Sequence, residues 1–188
     1  MSYKSTNWKE WILPLHEENV LVGDAYDNLN NIGAEQREIP EIVRIVEHKK
    51  SKFFPGGTDI KTHDYIHIVL GRGLLSLDEA FVLGFTMGCT NVFSQDLIDA
   101  FCFIASELYP QNYKFCVNCI NIFQDAAYLG HISDCKSLSD VDYTKYHDLT
   151  VKELREELGI ETDLLQAFYN LEKKRYPNEA SSKRLLQN

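Results

Sequence analysis

No apolar stretch in this sequence approaches the roughly 20 residues a helix needs to cross a bilayer. The most apolar run, Ala80 to Cys89, is far shorter, which excludes a spanning helix and leaves a peripheral membrane contact open. Positive charge is also scarce: 19 Lys and Arg against 28 Asp and Glu leave a net charge of −9. The basic residues are scattered apart from small groups such as His48-Lys49-Lys50 and Lys173-Lys174-Arg175. Nucleic-acid binding through a broad basic face is therefore not expected, since neutralising phosphates requires clustered Lys and Arg. The five cysteines are an odd number in mostly apolar, helix-like surroundings, so no disulfide framework is expected and the thiols read as reduced, in a cytoplasmic protein. The stretch Met1 to Trp11 lacks both the apolar core of a secretory leader and the Arg-rich pattern of a transit peptide, and is expected to remain in the mature chain. Strand-like alternation, internal repeats and low-complexity tracts are missing too.

What is present is helical periodicity at a length suited to one domain. The chain has 188 residues, 44% hydrophobic and 25% charged, ordinary usage for a globular protein with its own core. The expectation is an all-α fold, residues 1–188 forming a single compact domain of about eight or nine helices. Two short helices are expected around Pro14, the second spanning Val22 to Ile32. Pro40 opens Glu41 to His48, with Ile42, Ile45 and Val46 on one face. An irregular connection, Lys50 to Lys61, precedes a helix over Thr62 to Leu70, which Gly71-Arg72-Gly73 interrupts before a new helix over Ser76 to Gly88. Ser94 is a candidate N-cap for a helix through Leu108, and Asn112 to Leu129 reads as a long helix closed by Gly130. His131 to Asp148 reads as a polar surface connection. Thr150-Val151-Lys152-Glu153 is a capping box for a helix ending at Gly159, and Asp163 to Arg175 is the last helix before Pro177 and a frayed tail.

One constellation carries chemistry. On a helix, His63 and His67 stand one turn apart on the same face, so both imidazoles can reach one ion. A carboxylate from outside that helix would add an oxygen ligand, and Glu79 is the candidate because the glycine break lets the next helix fold back. Asp64 lies on the border of the same face and could ligate, orient water or act as a base. Two histidines with a carboxylate suit zinc, iron or manganese, with magnesium a further option, and sequence does not choose among them. Bland readings stand beside this one. Histidines at helical spacing also occur as surface or core filler, and Ser76-Leu77-Asp78-Glu79 is itself a capping-box pattern in which Glu79 would bond the Ser76 amide. Asp in place of the zincin Glu, one methylene shorter, argues against peptidase chemistry.

The pattern His63-Asp64-x-x-His67 followed by eleven residues and Glu79 resembles the signature of the coenzyme Q (ubiquinone) biosynthesis protein 4 family. Further similarity lies in Pro55-Gly56-Gly57-Thr58, in His67-Ile68-Val69-Leu70-Gly71 and in Leu154-Arg155 with Leu158-Gly159-Ile160. The resemblance covers about residues 50 to 90 well and the rest loosely. It implies a helical fold in which His63, Asp64, His67 and Glu79 hold a divalent ion beside a hydrophobic pocket for an isoprenoid lipid or prenylated quinone precursor. It implies a role in ubiquinone or related prenyl-lipid synthesis, either ring decarboxylation with hydroxylation, with Asp64 as the catalytic group, or presentation of the precursor to other quinone-biosynthesis enzymes. Homo-oligomerisation is left open. Arg72, in the glycine turn, is a candidate partner for an anionic group of the ligand, or else a solvated surface residue.

Rival constellations exist. Cys116-x-x-Cys119 with His131 and Cys135 imitates a zinc knuckle, though the first pair is expected inside a helix. A metal-dependent phosphohydrolase would use His48, the His63-Asp64 pair and Asp125, with no demand on His67 or Glu79. A non-catalytic lipid scaffold is the third. The aromatics, among them Phe81, Phe101, Phe123 and Phe168, read as core.

Overall fold

The computed structural model describes residues 4–32, 39–49, 51 and 54–186. Among these there is no β-strand, only an isolated bridge between Leu21 and Thr150, and the fold is all-α in one compact domain. Nine α-helices follow in order: α1 (Val22–Asn30), α2 (Glu41–Glu47), α3 (Ile60–Leu70), α4 (Ser76–Gly88), α5 (Gln95–Phe103), α6 (Val117–Ile132), α7 (Val151–Leu158), α8 (Thr162–Arg175) and α9 (Ala180–Arg184). No described helix is long and apolar enough to cross a membrane.

Local chemistry explains most boundaries. The Asp59 side chain accepts the Thr62 N–H at 2.8 Å and starts α3, and Gly71 ends it in the left-handed region at φ 69°, where only glycine is free of strain. The capping box at Thr150 and Glu153 forms as expected, with Gly159 closing α7. α5 continues through one π-helical turn, Ile104–Leu108, before Tyr109.

The centre of the core is the pairing of α4, nearly enclosed, with the buried face of α6. Their backbones approach so closely that a Cβ on Gly130 would sit 2.4 Å from the Phe85 carbonyl oxygen. Gly130 therefore does not close a helix, as its sequence position suggested. It lies inside α6, which runs on to Ile132, and its missing side chain is what permits the contact.

Other expectations also needed correcting, each for a tertiary reason. No helix precedes Pro14 among the described residues. Trp11, Ile12 and Leu13 are instead a buried irregular segment, and remote side chains reach carbonyls in it and beside it: Arg184 donates to Lys9 and Trp11, and Arg155 donates to Leu15. On α2 the buried residues are Val43 and Val46, while Ile42 and Ile45 face outwards. The connection after α6 buries Leu138 and Tyr143, with Tyr143 stacked on Tyr65 at 5.0 Å. The tail is not frayed: α9 packs back, and Ser182 and Arg184 are buried.

Arg72 is not a solvated surface residue. It is fully buried in a group of four charges. Its guanidinium donates to Glu172 at 2.8 Å and lies over the rings of Phe81 (4.3 Å) and Tyr169 (4.8 Å). Asp78 accepts from Arg184 and stands 3.7 Å from Arg72 Nε, and Ser182 donates to Glu172 at 2.9 Å. Two cations and two anions cancel, which is the condition under which buried charges are tolerated. Removing one member leaves an uncompensated charge. Arg72→Met is expected to lower unfolding free energy by about 3–5 kcal/mol, read by urea denaturation; a loss near the scatter of surface substitutions would show that the cluster is not holding the fold.

Candidate metal centre

The turn between α3 and α4 brings three side chains to one point. His63 Nε2 lies 2.9 Å from Glu79 Oε2 and 3.0 Å from His67 Nε2, and His67 Nε2 lies 3.4 Å from Glu79 Oε2. Three such donor atoms, all within 4.8 Å of one another, form the single grouping of this kind among the described residues. On a tetrahedral ion with bonds of about 2.0–2.1 Å, donors stand about 3.3 Å apart. The observed triangle is of that size, so the residues fit a small divalent ion.

Support behind the donors fits as well. The Gly73 carbonyl accepts a hydrogen bond from His67 Nδ1 at 2.8 Å, which places the proton on Nδ1 and leaves the Nε2 lone pair facing His63 and Glu79. A backbone carbonyl on the far nitrogen is the usual way a metal-binding imidazole is oriented. His67 is completely buried, and His63 and Glu79 are partly open to the cavity.

The choice between ligand and cap for Glu79 is decided one residue earlier. Leu75 is the N-cap of α4, and its N–H donates to Asp78 at 3.1 Å, so Asp78 occupies the capping position. Adjacent residues on a helix diverge by about 100°. Asp78 thus enters the charge cluster while Glu79 turns to the histidines.

The donors open on a cavity of about 620 Å³. Asp64 lines it but stays outside the donor triangle and makes no hydrogen bond or ion pair with another described residue. Burial pushes its carboxyl up to about 6, against the pull of His63 and His67. Sequence reasoning missed a second carboxyl: Glu47, at the end of α2, accepts the Tyr109 hydroxyl at 2.8 Å, and burial pushes it up to about 7 although His63 and Tyr109 pull it down. No spacing rule links residues 47 and 109; only the π-turn before Tyr109 and the packing of α2 bring them together. Leu83, Val43, Leu74 and Phe115 supply apolar wall, and Arg44 and Lys114 are the cationic side chains that line the cavity in place of Arg72.

Burial opposes the charge on both His63 and Glu79, but their mutual attraction outweighs it. His63 is pushed up to about 9, and Glu79, facing His67 and His63, is held well below the usual carboxylate range. Without an ion the site is therefore a buried-edge imidazolium–carboxylate pair.

The rival constellations do not assemble. Asp125 pairs with Arg175 at the surface and does not line the cavity, so the phosphohydrolase set of His48, His63, Asp64 and Asp125 is split. His131 stacks on Phe93, and Cys116, Cys119 and Cys135 do not gather around it. No family model, curated protein or solved structure matches the chain.

Two outcomes test the centre. Elemental analysis is expected to find one divalent ion per chain, lost in His67→Ala and Glu79→Ala and retained in Asp64→Asn; equal metal content in wild type and His67→Ala sinks the assignment. Because His63 carries a proton below about 9 in the metal-free chain, an entering ion must displace it. Affinity for zinc should rise about tenfold per pH unit up to that value and level off above it, measured by competition with a chromophoric chelator. A flat profile would show that His63 is not a ligand.

Proposed function

We propose that this protein binds one divalent ion through His63, His67 and Glu79 and uses the site to hold, and to act on, a prenylated ring compound bearing a carboxylate or phenolic oxygen. The observation that carries this reading is the convergence of three donor atoms on the wall of a cavity large enough for a lipid-sized ligand. Small-molecule pockets of about 300–1,000 Å³ are apolar with a few convergent polar groups, and this one combines an aliphatic and aromatic wall with the donor triangle. Its sequence-level support is the resemblance to the coenzyme Q biosynthesis protein 4 family.

When bound, a divalent ion would supply Lewis-acid stabilisation of negative charge on a ligand oxygen. The chain's own groups do the rest. Glu79 offsets cationic charge, His67 is held in one tautomer by Gly73, and the apolar wall excludes water from a ring placed against it. Asp64 and Glu47 titrate near neutrality, where a carboxyl can both take and return a proton. Asp64 is the assigned base because it lines the cavity and hydrogen-bonds to no other described residue. Arg44 and Lys114 offer charge to an anionic head group.

Solvent extraction of gently purified protein followed by mass spectrometry is expected to yield a polyprenylated aromatic compound. Leu83→Trp, which fills the wall, should lose the lipid and keep the metal. Loss of the ring carboxyl from added substrate, abolished in Asp64→Asn with lipid retained, assigns catalysis; retention without turnover assigns presentation. Recovery of a phosphorylated nucleotide in place of lipid overturns the reading.

A further inference from the structure

Cys116 and Cys119 occupy unlike positions, one exposed and one in the core. Cys116 is the N-cap of the sixteen-residue helix α6, and Cys119 lies in its first turn rather than in the middle of a helix. N-caps favour Ser, Thr, Asp and Asn, whose oxygens accept strongly, and a thiol is a poor substitute. Here the Cys116 sulfur accepts the Cys119 N–H at 3.3 Å. The Cys116 sulfur is thereby held at the positive end of the α6 dipole, turned towards the Cys119 amide. The first turn of α6 holds no acidic residue, and the Glu179 carboxylate accepts from Asn118 at 2.8 Å.

The geometry of the pair divides the roles. Cys116 is exposed, whereas Cys119 is 1% exposed, and their sulfurs stand 2.9 Å apart. Shortening that to a disulfide bond of about 2.05 Å needs less than about 1 Å of movement. One sulfur is open to a reagent, and the other is shielded yet within reach of the first. Burial and the adjacent Cys116 sulfur push the Cys119 thiol up to about 12, so Cys119 rests as a thiol.

We propose that Cys116 and Cys119 form a redox-active dithiol that exchanges reversibly with low-molecular-weight disulfides. The Cys116 thiolate attacks one sulfur of a small disulfide, forming a mixed disulfide and expelling one thiolate. Cys119 then gives up its proton and attacks the Cys116 sulfur, expelling the second. Two protein thiols become one disulfide, the small disulfide is reduced to two thiols, and the two protons released by the protein go to those thiols. Cys89 and Cys135, which also lie side by side, with Cys89 half-buried and Cys135 buried, serve as an internal comparison.

The full chain is equilibrated in glutathione buffers of graded oxidised-to-reduced ratio, quenched in acid, alkylated and mapped by peptide mass spectrometry. A Cys116–Cys119 disulfide is expected whose fraction follows the ratio and reverses. Cys119→Ser should accumulate a glutathione adduct on Cys116 at least tenfold above that on Cys119 in Cys116→Ser. In the unmodified chain, which does not depend on the folding of any variant, brief iodoacetamide treatment should label Cys116 at least tenfold faster than Cys102. The proposal is overturned by the absence of this disulfide at every ratio, by a Cys89–Cys135 disulfide in its place, by equal adducts in the two variants, or by labelling of Cys116 no faster than Cys102.

Discussion

The buried charge cluster of Arg72, Asp78, Glu172 and Arg184 is the constraint on which the rest of this molecule depends. It joins parts of the chain that no local interaction could hold together: the α3–α4 turn, α8, the α9 tail and, through Arg184, the carbonyls of the N-terminal segment. Four charges are withdrawn from water, which is tolerable because they balance, because Glu172 accepts from Arg72 and Asp78 from Arg184, and because Phe81 and Tyr169 cover Arg72. Their reward is positional. With Arg72 and Asp78 fixed, the turn between them can present the Gly73 carbonyl to His67 in one orientation.

The same cluster sets the direction of Glu79. Asp78 and Glu79 are neighbours on the first turn of α4, and once the first is committed inwards the second must project towards α3. The candidate metal centre is thus not a loop ornament but the outer face of a rigid joint. On its other side lies a cavity whose two additional carboxyls, Asp64 and Glu47, are raised by burial to the range where proton transfer at neutral pH is efficient.

How far the sequence could be read depended on whether an interaction was local. His63 and His67 follow from helical spacing, and the Thr150–Glu153 box and the stops at Gly71 and Gly159 follow from capping chemistry within a few residues. Glu79 was visible as a candidate, but its competition with a capping role turned on a one-residue choice of N-cap, Leu75 in place of Ser76, which capping preference alone would not select. Arg72 was misjudged because its partner Glu172 is a hundred residues away, and Gly130 because the Phe85 backbone that it meets belongs to another helix.

By itself, then, the sequence determined an all-helical chain and a pair of histidines able to face one ion, because helix periodicity and capping are encoded over four residues or fewer. Tertiary structure alone decided that Glu79 joins them while Asp64 stands apart, that Glu47 and Tyr109 share the cavity, and that the tail is anchored. Each of these rests on desolvation and charge balance between remote segments, which spacing along a chain does not record.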